Sequence, residues 1–401
     1  MHFEWHVAVE YLFFLASLAA IPIGIIYKMW WLLIAGIIFF FAYPILLEAL
    51  VHLWALITHN EKTYANSLIQ KKLQMASLPH PIVYHPDYNL SFCGLEKLHP
   101  FDSCKYRRVI DELSSGYNLI NKDKLWKPKI CSRAVIKTGS SNCHLFSLNY
   151  SMYTSKVIEL PICFVPAVLL RHAVINPMLL MTQGTIDAAI MSLNFGFAFN
   201  IGGGFHHSSR FKSGGFCMFP DISMAIMHLR KYFGIQRSMI IDLDAHQGDG
   251  HERDFARDPD VFIVDYYNSH IYPGDFQARK SIKLDVHVGE DWKDNRYLST
   301  MDSTIPKAID EFKPQFILYN AGTDIATGDP LGHLGISDKG IIARDEKIFR
   351  YALTRKIPVL LVTSGGYQKK NAITIAESIN NLYKVFNLAS HVHTEKVIEQ
   401  Q

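Results

Sequence analysis

The sequence predicts an α/β domain with an open, mainly parallel sheet flanked by helices, preceded by an apolar helical hairpin. Three observations carry this: four short apolar runs that each end in polar residues, helix-compatible segments between them, and two long uncharged runs near the start. With 401 residues, 49% of them hydrophobic, the chain can bury a sizeable core. The net charge of +3, from 40 basic against 37 acidic residues, leaves no electrostatic footprint for nucleic acid. Six cysteines without a CxxC pair read as free thiols of a reducing compartment.

Residues 1–58 read as a membrane-anchoring hairpin. Tyr11 to Tyr27 is a run of 17 residues without a charge, and Met29 to Leu47 another of 19, with Lys28 alone between them. At about 1.5 Å per residue each run covers roughly 25–29 Å, close to the hydrocarbon core of a bilayer. Two transmembrane spans meeting at Lys28 fit, and so does a re-entrant hairpin bent at Pro22 and Pro44. Trp30 and Trp31 suit an interfacial belt. A cleaved signal peptide fits less well, because no lysine or arginine precedes the first run and a second run follows. A buried hairpin of a soluble protein is the remaining alternative. Lys62, Lys71 and Lys72 beyond the second run, against Lys28 in the turn, favour a membrane-anchored protein whose main domain faces the cytoplasm. Residues 59–80 are polar and read as a connector, 81–388 as the main domain and 389–401 as a polar tail.

The four runs are FAFNIGGGFHH (197–207), SMIIDLDAHQGDGH (238–251), QFILYNAGTD (315–324) and IPVLLVTSGGY (357–367). Short continuous runs of this kind suit strands buried on both faces of a parallel sheet. Helix-like segments at Asp221 to Phe233, Leu298 to Phe312 and Asp345 to Thr354 supply the crossovers. In such sheets the ligand crevice lies beyond the carboxyl ends of the strands, where all four polar clusters fall.

Asp244 and His246 are two apart, so in an extended segment both reach one point. With Asp324 from a neighbouring strand end they make three ligands and leave an open fourth position, as in a catalytic metal site. Zinc suits the set best, and iron or manganese would also be accepted. Taken alone, the aspartates of this loop could equally be turn and capping residues. His206 and His207 then offer a base for a metal-activated water and an acid for a departing amine. Asp242 and Asp249 are the carboxylates free to orient them. A lone histidine is more often a core residue, which explains an adjacent pair poorly. Tyr367 follows Gly365 and Gly366, where a close backbone places a phenol to donate to a developing oxyanion. Gly204 and Gly215 are read as similar close approaches, and Phe216 and Tyr272 as walls of a narrow channel, although most aromatics are simply core.

GGGFHH, DLDAHQGDGHERDF, YNAGTD, GDPLG and TSGGYQK in this order resemble the zinc-dependent histone deacetylases, most closely class IV. GLEKLHPFDS at 94–103 and YNSHIYPGD at 267–275 are also class IV-like, and the similarity spans about 81–388. The resemblance implies an arginase/deacetylase-like fold with Zn2+ held by Asp244, His246 and Asp324. It implies His207 as the main general base and acid with His206 as its electrostatic neighbour. Asp249 and Asp242 would be their respective partners, and Tyr367 would polarise the scissile carbonyl. Phe216, Tyr272 and Leu331 would line an acyl-lysine channel, and a structural K+ would lie near Asp242, Asp244 and His246.

Three departures stand out. Ser208 to Ser213 reads SSRFKS where the family is acidic and glycine-rich, Asp249 is an asparagine in some class IV relatives, and Thr138 to Ser155 matches poorly. The expected function is a membrane-tethered hydrolase removing acetyl or longer fatty acyl groups from lysine side chains of a protein or peptide. Deacylation of small acetylated amines such as polyamines is the alternative, against which the basic SSRFKS loop counts. A non-catalytic membrane scaffold is less consistent with a complete residue set.

Overall fold

The computed structural model describes residues 34–35, 61–91, 94, 96 and 100–389. Seven strands form one sheet: β1 (Ile82–Val83), β2 (Phe197–Asn200), β3 (Ser238–Asp242), β4 (Val261–Tyr267), β5 (Leu284–His287), β6 (Phe316–Asn320) and β7 (Val359–Val362). Their order is β1-β2-β7-β6-β3-β4-β5 and every pair is parallel. The four apolar runs of the sequence are therefore the four adjacent strands β2, β7, β6 and β3. All residues of these four strands are buried, as a parallel sheet covered on both faces requires.

Register decides where the polar clusters go. Asn200 pairs with Val362, Val362 with Asn320, and Asn320 with Asp242. These are the last residues of their strands, so the chain leaves the sheet along one level row. The clusters that follow open on the same side of it.

Eight main helices accompany the sheet: α1 (Glu61–Ala76), α2 (Lys105–Asp111), α3 (Asn176–Phe195), α4 (Asp221–Phe233), α5 (Asp249–Asp254), α6 (Asp294–Phe312), α7 (Asp338–Thr354) and α8 (Asn371–Val385). Short helical turns occupy much of 133–175. The α4 boundaries match the sequence expectation; Gly234, at φ 71°, stops the helix in the left-handed region that glycine tolerates. Two helices begin earlier than periodicity suggested. The Ser337 side chain accepts from the Gly340 N–H and caps α7, and α6 opens with Asp294 in its first turn. Strands β1, β4 and β5 were not anticipated: β1 is two residues long, and β5 is a half-exposed edge.

The core is continuous across both faces, with Phe199 of β2 stacked on Phe349 of α7 at 5.4 Å between ring centroids. Burying each such ring stabilises the fold by about 1.5–3 kcal/mol. Helix α3 is enclosed almost all round, which explains why its 20 residues lack a polar face. The stretch read as a connector forms α1 and packs on the domain. Lys71 pairs with Asp187 of α3, and the Tyr64 ring meets His228 of α4 edge-on at 6.1 Å. Among the described residues no helix is long and apolar enough to cross a membrane. Apart from residues 34–35, the apolar hairpin of residues 1–58 lies outside the described residues, as does the tail from Ser390.

Candidate active site

Asp244, His246 and Asp324 converge beyond the ends of β3 and β6, with ligand atoms within 4.8 Å of one another and all three side chains buried. His246 Nδ1 lies 3.1 Å from Asp244 Oδ1 and 2.8 Å from Asp324 Oδ2. Backbone and hydroxyl donors fix the carboxylates. Asp324 Oδ1 accepts the Ala245 N–H at 2.8 Å, while Asp244 Oδ2 accepts the Ser364 hydroxyl at 3.0 Å and the Gly365 N–H at 2.9 Å. Burial and the Asp244 charge push the Asp324 carboxyl up to about 7, whereas His206 and His246 hold Asp244 well below its usual range against the cost of burial. Two buried carboxylates and an imidazole meeting at one point are a donor set that a divalent cation completes, and the residues fit zinc.

Gly365 explains how β7 comes so near. A Cβ there would lie 2.5 Å from Asp244 Oδ2 and 2.7 Å from Asp324 Oδ2, so any other residue would enter the ligand cluster. Gly204, at φ 79°, lies as close to Asn320, and Gly366 packs on Thr323. Gly215 sits where a Cβ would be 2.5 Å from the His207 ring.

The two histidine rings lie tilted to each other with centroids 4.0 Å apart and take different carboxylates. His206 Nδ1 donates to Asp242 Oδ2 at 3.0 Å, and His207 Nδ1 to Asp249 Oδ1 at 2.9 Å. Burial alone would depress both. At His206 the charges of Asp244 and Asp242 outweigh burial and raise it to about 9; at His207 burial and the neighbouring His206 charge win over Asp249 and lower it to about 4. Without metal these shifts favour a charged His206 beside a neutral His207, and a neutral imidazole can accept a proton.

Tyr367 faces this arrangement from the β7 end, its ring 6.1 Å from that of His246 and edge-on. Its N–H donates to Asp329 Oδ2 at 2.9 Å. Burial and the Asp324 and Asp244 charges push its phenol well up, so it remains a hydrogen-bond donor. Leu331 is tied to the same turn, its N–H donating to Asp329 Oδ1 at 3.0 Å. Tyr272, 47% exposed, stands edge-on to His207 at 4.9 Å. Phe216 has φ 62°, an unusual conformation for a bulky residue, and packs on Phe101 with centroids 5.0 Å apart. Tyr272 thus stands beside His207, Phe216 is linked to Tyr367 through Phe101, and Leu331 shares Asp329 with the Tyr367 backbone.

Several participants carried no sequence signal. Lys105 of α2 is fully buried and donates to the Ser364 carbonyl at 2.6 Å and that of Gly365 at 3.2 Å, directly under the Tyr367 loop. Burial lowers its ammonium to about 8, against the pull of Asp324 and Asp244. Asp329 aligns Tyr367 and Leu331, and its place in GDPLG was the available hint. Asp221 accepts the N–H groups of Gly204 and Phe205, both at 2.8 Å, and holds the GGGF turn. A second cluster, Asp242 with His251 and Asp265, lies among the described residues behind His206.

At the rim, Ser209 N–H to Lys212 O at 2.7 Å closes the SSRFKS loop into a tight turn. The Ser141 N–H donates to Arg210 O at 2.8 Å, so this loop packs on the 138–155 segment. The two segments that depart most from the family pattern therefore lie against each other. Phe211 remains 75% exposed.

The parallel sheet, the buried Asp-His-Asp cluster and the paired histidines define a hydrolase of the deacetylase type, and comparison with known proteins agrees. The family model described as the histone deacetylase domain matches residues 99–383, and the chain belongs to that family. It is 42% identical over 332 residues to histone deacetylase 2 of Arabidopsis thaliana, covering 82% of this chain and 86% of that one. An uncharacterized protein of Picosynechococcus sp. is 30% identical over 292 residues, covering 72% of this chain and 92% of its own. The crystal structure of the HDA15 HD domain superposes with a TM-score of 0.62 over 78% of this chain and 90% of that one; at 17% identity this likeness concerns the fold.

Proposed function

We propose that the protein is a membrane-tethered, zinc-dependent lysine deacylase of the class IV type. The observation that carries this is geometric: Asp244, His246 and Asp324 converge beside two His–Asp pairs, His206 with Asp242 and His207 with Asp249, and Tyr367 faces them. Zinc held by Asp244, His246 and Asp324 supplies Lewis acidity toward water and the amide carbonyl. His207 takes the proton of the attacking water and returns it to the lysine amine as the amide bond breaks. Asp249 fixes the His207 tautomer and stabilises its imidazolium. Tyr367 donates to the carbonyl oxygen as negative charge gathers there. Phe216, Tyr272 and Leu331 enclose the lysine stem.

Class IV character rests on the GHERDF and HIYPGD stretches, and tethering on the uncharged runs of residues 11–47. A bilayer anchor keeps such an enzyme near lipidated lysines, so both acetyl and long acyl groups belong to the proposed range. Turnover of acetyl-lysine and myristoyl-lysine peptides by the full chain decides between them; strong preference for acetyl removes the fatty-acyl reading. Protease protection in sealed vesicles tests the cytoplasmic orientation, and recovery of the chain in the soluble fraction refutes the tether.

A further inference from the structure

The family resemblance brings with it a structural potassium near Asp242, Asp244 and His246. The Asp242 carboxylate leaves that ion no lone pair. A carboxylate offers about four lone-pair sites, and all four of Asp242 are taken. Oδ1 accepts Asn320 Nδ2 at 2.9 Å and the Asp244 N–H at 3.1 Å; Oδ2 accepts His206 Nδ1 at 3.0 Å and His251 Nε2 at 2.9 Å. The fourth donor, His251 of α5, is 1% exposed and projects into the space behind His206. An imidazole there presents nitrogen, whereas a hard cation selects oxygen.

Two further carboxyls lie close by. Asp265 Oδ2 accepts the Gly248 N–H at 2.9 Å and Glu252 Oε2 accepts Gln247 Nε2 at 2.6 Å. The remaining oxygen of each, Asp265 Oδ1 and Glu252 Oε1, is buried without a donor, as is His251 Nδ1. Burial, with Asp242 and Glu252 nearby, pushes Asp265 well up, and burial raises Glu252 to about 7.

We infer that His251 occupies the place of the structural potassium: its imidazole holds the Asp242 carboxylate that orients His206, and the enzyme needs no monovalent cation. His251 is thus a positioning residue, acting through Asp242. The inference rests on family membership and on these contacts, and thermal stability tests it whichever acyl group the enzyme prefers.

The full chain is compared in potassium, sodium and tetramethylammonium chloride at one ionic strength of about 0.15 M. Unfolding midpoints are expected to agree within about 1 °C, and kcat/KM within about twofold. A midpoint raised about 4 °C or more by potassium alone overturns the inference, since a bound ion stabilises the folded state by mass action. So does metal analysis finding a second divalent ion per chain, held by Asp242, His251 and Asp265. His251→Val frees a lone pair on Asp242. It is expected to lose about tenfold in kcat/KM in tetramethylammonium and to recover it, with a higher midpoint, in potassium. His251→Gln keeps a donor and is expected to stay indifferent to the cation. A folded His251→Val variant that ignores potassium overturns the assignment; if that variant does not fold, the wild-type and His251→Gln series decide.

Discussion

His206 with Asp242 and His207 with Asp249 are the same dyad twice, built from adjacent residues, yet their imidazoles are shifted in opposite directions because their surroundings differ. Asp242 is enclosed by four donors, and it shares His206 with the charge of Asp244. Asp249 gives one oxygen to His207, while the other faces Lys212 Nζ at 4.0 Å and Arg253 Nε at 3.6 Å. At His207 burial and the His206 charge outweigh the pull of Asp249, whereas at His206 Asp244 adds its charge to that of Asp242. The surroundings, more than the dyad itself, therefore decide which imidazole stays neutral.

The largest break in that comparison is His207→Ala, expected to lower kcat about 10³-fold or more while bound zinc is retained. Metal content and single-turnover rates check it, and near-normal turnover would assign the base elsewhere. Tyr367→Phe is expected to cost about 10²-fold in kcat with little change in KM, since its donor acts on charge that develops late. Asp249→Asn is expected to cost about tenfold or somewhat more. It removes a group that raises His207, so the acid limb of kcat/KM should move to lower pH; a shift upward contradicts the dyad.

In the metal-free protein, histidine NMR should show two separate titrations for this pair, near pH 4 and near pH 9. A single transition near 6.5 would abolish the distinction. The linked stability has opposite signs. His207, lowered in the fold, contributes stability above about 6.5 that is lost as pH falls toward 4; His206, raised, contributes stability below about 6.5 that is lost as pH rises through 9. The smallest effect is expected from Lys212→Met, below about threefold in kcat/KM, because that ammonium is 58% exposed and screened by solvent.

What was legible in the sequence follows from the same contrast between local and distant causes. The four central strands announce themselves because burial on both faces demands unbroken apolar runs, and the reactive residues follow within a few positions. The shared direction of Asp244 and His246 follows from their spacing, but only Asp324 from a distant run distinguishes them from turn and capping residues. Lys105 was not, since its contacts lie 259 and 260 residues away and its local context is an ordinary amphipathic turn. Asp329 and His251 act on backbone or on another carboxylate, and spacing does not display such partners. The edge strands β1 and β5 were missed because two residues, or a half-exposed strand, leave no pattern to find. The packing of SSRFKS on the 138–155 segment belongs to tertiary structure; the sequence showed only that both segments were unusual.

The level row of strand ends also governs the order of events when the chain folds. The contacts that close the cluster span 79 residues from Ala245 to Asp324, 120 from Asp244 to Ser364 and 259 from Lys105 to Ser364. Each requires a central strand already docked in register, because a slip of one residue would turn Asp242 or Asn320 to the opposite face. Such long-range closure comes late and slowly in folding. The complete cluster therefore exists only once the sheet is assembled, and a metal held there would be taken up by a nearly finished domain rather than serving as the nucleus around which it forms.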